Sequence, residues 1–239
     1  MTEPRLSRIA ALLGEEALSR LASSHVLLLG LGGVGGHAFD ALVRTGVGEI
    51  TVCDFDTVSE SNMNRQLLAD ETTLGLKKAD VAVSRAALLS HRTVVHSCTH
   101  RLAPEMIPAF LADVSPSLIL DAVDDVPVKV SVAREASARG IPILTCLGTG
   151  NRLDPSALYF TDIAKTEGCP LARAVRTRLR RSGVHHLRVL ASRETPRSSL
   201  DPAVPIGSCA YVPAVAGLML AAEAVRLLLE CREGEKASI

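Results

Sequence analysis

The residues best equipped for chemistry are a run of glycines, three carboxylates, two cations and two amides. Gly30, Gly32 and Gly35 fall at G-x-G-x-x-G spacing inside Val26–Gly36 (VLLLGLGGVGG), with Gly33 between them. Glycines so placed let the chain turn sharply and bring bare backbone N–H groups up to a phosphate. A helix starting directly afterwards adds donors and a partial positive charge. An acidic residue about 20 positions on would hold a ribose hydroxyl. GEITVCDFD supplies it as Asp54, with Asp56 behind. This describes a nucleotide site, and the glycine pattern by itself fits dinucleotide cofactors as well as ATP.

Further along lie Asn62, Arg65 and Gln66 (in SNMNRQ), Lys78, and Asp124 in the run DAVDD. Arg65 and Lys78 could neutralise a triphosphate, and Asp124 could hold Mg²⁺ between phosphates. A hydride-transferring enzyme needs neither, because its pyrophosphate rests on the loop itself. The set therefore favours ATP over NAD. His96 and His100 are four apart but fall on a strand and its exit, where that spacing does not converge on a metal.

These residues need a scaffold that carries them to one edge, and the hydrophobic pattern predicts one. Arg5–Leu21 reads as an amphipathic helix. Strands Val26–Leu29, Glu49–Cys53, Thr93–Cys98, Leu118–Ala122 and Pro142–Cys146 alternate with helices His37–Arg44, Leu76–Leu89, Pro104–Ala112 and Val128–Arg139. Five strands alternating with helices predict an α/β, Rossmann-like, doubly wound parallel sheet. Thr57–Glu71 reads as irregular. After Gly148 the alternation stops: Ser156–Ile163 and His186–Ser192 read as added mixed or antiparallel strands around a basic helix, Pro170–Arg181. Thr195–Gly207 reads as a loop and Val212–Leu229 as a C-terminal helix. That helix approaches bilayer length, but Glu223 and Arg226 within it point to a packed core element. The expectation is a single ATP-binding domain over 1–239, with an N-terminal helix (1–22), a nucleotide-binding core (23–148) and a substrate-side extension ending in the C-terminal helix (149–239).

Composition agrees. Of 239 residues, 47% are apolar and 3% aromatic, with no Trp, so the core must be aliphatic, as suits a parallel sheet covered by helices. The formal net charge is zero, so any nucleic-acid contact must come from a local patch. Arg173–Arg197 is such a patch, with eight arginines against one acid, and Arg173, Arg176 and Arg180 share a helical side. The six cysteines form no C-x-x-C pair, and MTEPRLSRIA has no apolar core of a signal peptide; a reduced cytoplasmic setting is expected.

Together, G-x-G-G-x-G, D-F-D, N-x-N-R-Q, G-x-x-K and D-x-x-D resemble the superfamily of ubiquitin-activating-enzyme-like adenylyltransferases, from about Arg5 to Cys231. The resemblance implies phosphate binding at Gly32 and its neighbours, ribose at Asp54, phosphate contacts from Asn62, Arg65, Gln66 and Lys78, and magnesium at Asp124. It further implies a homodimer in which an N-terminal arginine, here Arg8, reaches the partner's ATP site. Molybdopterin-type members carry two C-x-x-C pairs, absent here. Leu153–Ser156 (LDPS) and Thr161–Ala172 (TDIAKTEGCPLA) are instead similar to the tRNA threonylcarbamoyladenosine dehydratase group. That group's activity would be ATP-dependent ring closure on a modified adenosine at position 37 of tRNA, through adenylation of its threonyl carboxylate. The alternative is activation of the C-terminal carboxylate of a small sulfur-carrier protein. Some relatives work beside cysteine desulfurases, which makes a sulfur-transfer partner conceivable and draws attention to Cys209. Asp162 and Lys165 belong to the subgroup motif without a role that chemistry alone assigns.

Overall fold

The structure, a computed structural model, describes residues 4–197 and 206–230. Short aliphatic runs form the strands β1 (His25–Leu29), β2 (Glu49–Cys53), β3 (Val94–Cys98), β4 (Leu118–Asp121), β5 (Ile143–Cys146), β6 (Leu158–Asp162) and β7 (Arg188–Ser192). They make one sheet in the order β3-β2-β1-β4-β5-β7-β6, parallel throughout except where β6 pairs antiparallel with β7. The expected parallel core and the added mixed strands are both present.

Helices α1 (Ser7–Leu13), α2 (Glu15–Ala22), α3 (Gly35–Thr45), α4 (Lys78–Leu89), α5 (Ile107–Val114), α6 (Val126–Arg139), α7 (Pro170–Arg181) and α8 (Tyr211–Glu230) complete the chain. Side chains alternate across the central strands. Val26 and Leu28 of β1 join a core shared with α3, α4 and α8, whereas Leu27 and Leu29 face α5 and α6. A third cluster lies between α7 and β7. Strand order reverses beside β1, with β2 on one side and β4 on the other, so Leu29 pairs with both Cys53 and Asp121. A doubly wound sheet opens its ligand crevice at the carboxyl ends of the strands at such a point.

Some boundaries differ from the sequence expectation. The helix expected over Arg5–Leu21 is broken at Gly14, whose φ of +87° sits between α1 and α2. The helix expected from Leu76 starts at Lys78, because Gly75 turns at φ +78° and Thr57 bridges Lys77. α6 begins at Val126, where the Asp125 carboxylate accepts the Val128 N–H at 3.1 Å and fixes the first turn. Most of the loop expected over Thr195–Gly207 lies outside the described residues, as does Cys231.

α8 is long and apolar enough to cross a membrane by length and composition, yet half of its apolar window is buried. Gly217 lets it lie against α3, since a Cβ there would stand 2.3 Å from the Val34 carbonyl oxygen. Glu223 is held by Arg188 and bidentately by Arg226, as fits a helix packed in a core.

Candidate active site

The glycine loop between β1 and α3 is tighter than its spacing alone conveys. Gly30 adopts φ +86°, and a Cβ on it would sit 2.9 Å from the Ala122 carbonyl oxygen. A Cβ on Gly35 would lie only 1.8 Å from the Gly30 carbonyl oxygen. The chain folds back on itself there, and α3 starts at once. Gly30, Gly32 and Gly33 line the resulting cavity of about 390 Å³; Gly35 does not, and acts through the shape of the loop.

β2 delivers Asp54 to the same edge. Its Oδ2 accepts the Leu31 N–H at 2.7 Å and its Oδ1 accepts the Asp56 N–H at 2.9 Å, which ties the end of β2 to the glycine loop. Asp56, expected behind Asp54 in cofactor binding, also serves as counter-ion to Lys78, with Nζ to Oδ2 at 3.0 Å. The Lys78 side chain is 5% exposed and that of Asp56 is 52% exposed. A nearly buried ammonium aimed at a half-open carboxylate is poised to exchange that partner for an anionic ligand.

The irregular segment supplies amides and a second cation. Asn62 closes a short turn by accepting the Ser59 N–H, and Gln66 packs behind it; both are buried on the cavity wall. The Arg65 guanidinium is positioned by the Ser61 carbonyl and Asn64 Oδ1, each at 2.8 Å. Asn64 in turn donates to the Ser208 carbonyl oxygen at 3.0 Å, joining this segment to the approach of α8.

Asp124 stands exposed in the β4–α6 loop and lines the cavity. Its setting rests on two residues that pattern reading did not single out as partners. Asp121 and Lys129 are wholly buried, and Asp121 also accepts the Thr145 hydroxyl and the Val123 N–H. Lys129 further donates to the Cys146 carbonyl oxygen at 2.8 Å. The only signal in the sequence was a lysine on the apolar side of a helix eight residues after an aspartate. Arg101 was missed as well: it pairs with Asp125 at 3.3 Å and lies over the Phe55 ring at 5.1 Å on the cavity wall.

These residues fit a nucleoside triphosphate with magnesium. The cradle has no room for side chains at Gly30 or Gly35, three cations (Arg65, Lys78 and Arg101) stand at its wall, and Asp124 is exposed on it. Mg²⁺ commonly takes one or two carboxylates and completes its shell with phosphate and water.

Other expected residues lie elsewhere. Arg8 is exposed on α1 and is not part of the cavity wall. Arg173 and Arg180 are exposed on α7, but Arg176 donates to the Thr166 carbonyl (2.8 Å), the Thr166 hydroxyl (2.6 Å) and the Ile163 carbonyl (3.3 Å). Its place on the shared basic side is therefore qualified: the guanidinium braces a turn of its own chain. A second depression of about 620 Å³ is lined by Arg173, Arg176, Arg178 and Arg181. The subgroup motifs act as caps. Asp154 accepts the Ser156 N–H, Asp162 accepts the Ala164 N–H and holds His186, and Glu194 accepts the N–H groups of Leu153 and Asp154. Those backbone donors hold the Glu194 carboxyl below its usual range, and the Ser156 hydroxyl does so for Asp154. Cys209 is partly exposed, its Sγ 3.6 Å from the Arg152 carbonyl oxygen.

Comparison with known proteins gives the same picture over the whole chain. It is 34% identical to the tRNA threonylcarbamoyladenosine dehydratase of Bacillus subtilis (strain 168), over 95% of each chain. It matches the crystal structure of the E. coli tRNA N6-threonylcarbamoyladenosine dehydratase TcdA in complex with ATP with a TM-score of 0.87 and 31% identity, covering 94% of this chain and 93% of that one. A molybdopterin-synthase adenylyltransferase of Salmonella typhimurium (strain LT2) is 32% identical over 148 residues, which is 62% of this chain and 57% of that protein. The ThiF family model spans residues 6–238, so a match covering the glycine cradle, the sheet and the C-terminal helix alike places this chain in the ThiF family.

Proposed function

We propose that this chain is an ATP-dependent tRNA threonylcarbamoyladenosine dehydratase. The observation that carries the reading is the convergence of the glycine cradle, Lys78, Arg65 and Asp124 on one cavity in a chain related end to end to such enzymes. A carboxylate is a poor electrophile, and joining it to AMP with release of pyrophosphate supplies a good leaving group. Lys78 and Arg65 stabilise charge as it moves onto the departing pyrophosphate, and Asp54 holds the ribose. Magnesium held by Asp124 would supply further charge neutralisation among the phosphates. Ring closure then expels AMP. Because the attacking group is part of the same modified nucleoside, proximity replaces a separate catalytic nucleophile.

Arg173 and Arg180 would engage the tRNA backbone. The enzyme would work in the cytoplasm as a homodimer, Arg8 of each copy completing the other's ATP site. Mixing inactive Arg8→Ala and Lys78→Met subunits tests this: a shared site regenerates activity in the mixed dimers, and self-contained sites do not. A sulfur-transfer partner acting through Cys209 is a lesser part of the proposal, and full dehydration by Cys209→Ala would remove it.

The deciding experiment supplies Mg²⁺, ATP and tRNA bearing threonylcarbamoyladenosine, and reads the nucleosides by mass spectrometry. Loss of one water, abolished in Asp124→Ala, is the expected result. ATP binding with an unchanged nucleoside would move the search to small-protein carboxyl termini, the reading that the similarity to molybdopterin-synthase adenylyltransferase favours.

A further inference from the structure

Beside the nucleotide cavity lies a group of side chains that the adenylation chemistry does not use. Cys53 ends β2 and Cys98 ends β3, and the two are register partners in adjacent parallel strands. Paired residues of neighbouring strands project to the same face, and both thiols join the core cluster beneath that face. Both ring nitrogens of His100 lie 3.6 Å from Cys98 Sγ. Cys53 and His100 are themselves part of the cavity wall, so a small solute entering the cavity meets one thiol of the pair and the ring that touches the other.

We propose that Cys53 and Cys98 form a reversible disulfide under hydroperoxide and that this bond lowers nucleotide affinity. The Cys98 thiolate attacks the peroxide oxygen, forming a sulfenic acid and releasing water or an alcohol. The Cys53 thiol then attacks that sulfur and expels water. Two thiols lose two electrons and two protons to one peroxide, so the balance closes. A hydrogen bond with Cys53 holds the Cys98 thiol below its usual range, with His100 assisting; the same bond and burial hold Cys53 above its own. Thiolate character thus falls on one member, and the other is left as the resolving thiol.

The connection to the site is short. Asp54 follows Cys53 directly in the chain, and its N–H donates to the Cys98 carbonyl oxygen at 3.1 Å. A disulfide brings Cβ atoms to about 3.8 Å, closer than the strand spacing of about 4.8 Å. Closing it draws the end of β2 towards β3 and displaces Asp54 from the Leu31 N–H that it accepts. In a reducing cytosol such a bond is transient, as sensing disulfides are. A nucleotide in the same cavity would cover Cys53 and His100.

This rests on the cavity being the ATP site. The test treats the full-length protein with hydrogen peroxide, with and without ATP. Non-reducing peptide mapping follows, and nucleotide affinity is measured before and after reductant. The expected result is a Cys53–Cys98 linked peptide lacking two hydrogens and suppressed by ATP. It should be accompanied by a loss of affinity of about tenfold that reductant restores. Cys98→Ser should bind ATP normally and be insensitive to peroxide. Oxidation of Cys98 without linkage to Cys53, or a linked protein with unchanged affinity, would overturn the proposal. Failure of the untreated protein to bind ATP would instead overturn the assignment of the cavity, and the peptide map would still report on the disulfide.

Discussion

Lys129 Nζ lies 3.0 Å from both carboxylate oxygens of Asp121, and neither side chain has any exposed surface. The pair joins the carboxyl ends of β4 and β5 to the first turns of α6, and the loop it braces carries Asp124. Every polar atom in it is partnered, the condition under which a buried ion pair persists. Removing one member strands a charge. Lys129→Met is expected to cost about 3–5 kcal/mol in urea unfolding. The double variant with Asp121→Asn should cost less than the two single changes summed.

Lys78 presents the opposite case, a buried cation paired with a half-exposed acid. Lys78→Met should leave the fold intact because Asp56 can turn to water. ATP–pyrophosphate exchange should fall by about 10²–10³-fold, the usual loss for a group that stabilises charge in the transition state. An unchanged melting temperature beside lost exchange separates the two effects, and normal exchange would remove Lys78 from the chemistry.

Gly35→Ala introduces a Cβ 1.8 Å from the Gly30 carbonyl oxygen, a backbone atom with no room to retreat. The loop and the start of α3 must part. A destabilisation of about 1–3 kcal/mol or more is expected from overpacking. Calorimetric titration with ATP should show binding lost in the same variant. Retention of both stability and binding would mean that the loop yields more easily than its contacts imply.

The basic helix separates two roles that share one residue type. Reversing Arg173 and Arg180 to Glu should weaken tRNA binding and flatten the salt dependence of log K by about two phosphate contacts. Arg176→Ala should mainly lower thermal stability, because it strips the Thr166 and Ile163 acceptors of their donor. Equal effects of all three on tRNA binding would argue against the brace.

Glu223 sets the expected pH dependence. Its hydrogen bonds from Arg226, with Arg188 adding to them, hold its carboxyl below the usual range. A depressed folded-state value means that its contribution is complete above the unfolded value of about 4.3 and disappears as pH falls through the folded one. Glu223→Gln should therefore melt lower than the wild type at pH 7, with the two curves converging in acid. A constant gap down to pH 3 would show that shape rather than charge holds α8 to β7.

Much of this was legible because glycine and aliphatic residues carry strong local information. The spacing of Gly30, Gly32 and Gly35 after four apolar residues dictates a strand, a tight turn and a helix. Asp54 follows at the one place where a second parallel strand can bring it back. Arg176 was not legible in the same way, since its position on the outer side of a helix is equally good for phosphate and for the Thr166 turn. The break at Gly14 was hidden by leucines that keep helical spacing on both sides of it.

The sequence by itself determined the alternation of strands and helices and the cradle, which depend on periodicity and on backbone freedom at particular glycines; the kind of chemistry followed from the resemblance of its combined motifs to a known superfamily. The tertiary structure alone decided which charges are partners. Asp56 meets Lys78 and Asp121 meets Lys129 because separate elements converge at the carboxyl edge of the sheet. Coulombic pairing depends on distance in space and on burial, and neither is fixed by separation along the chain.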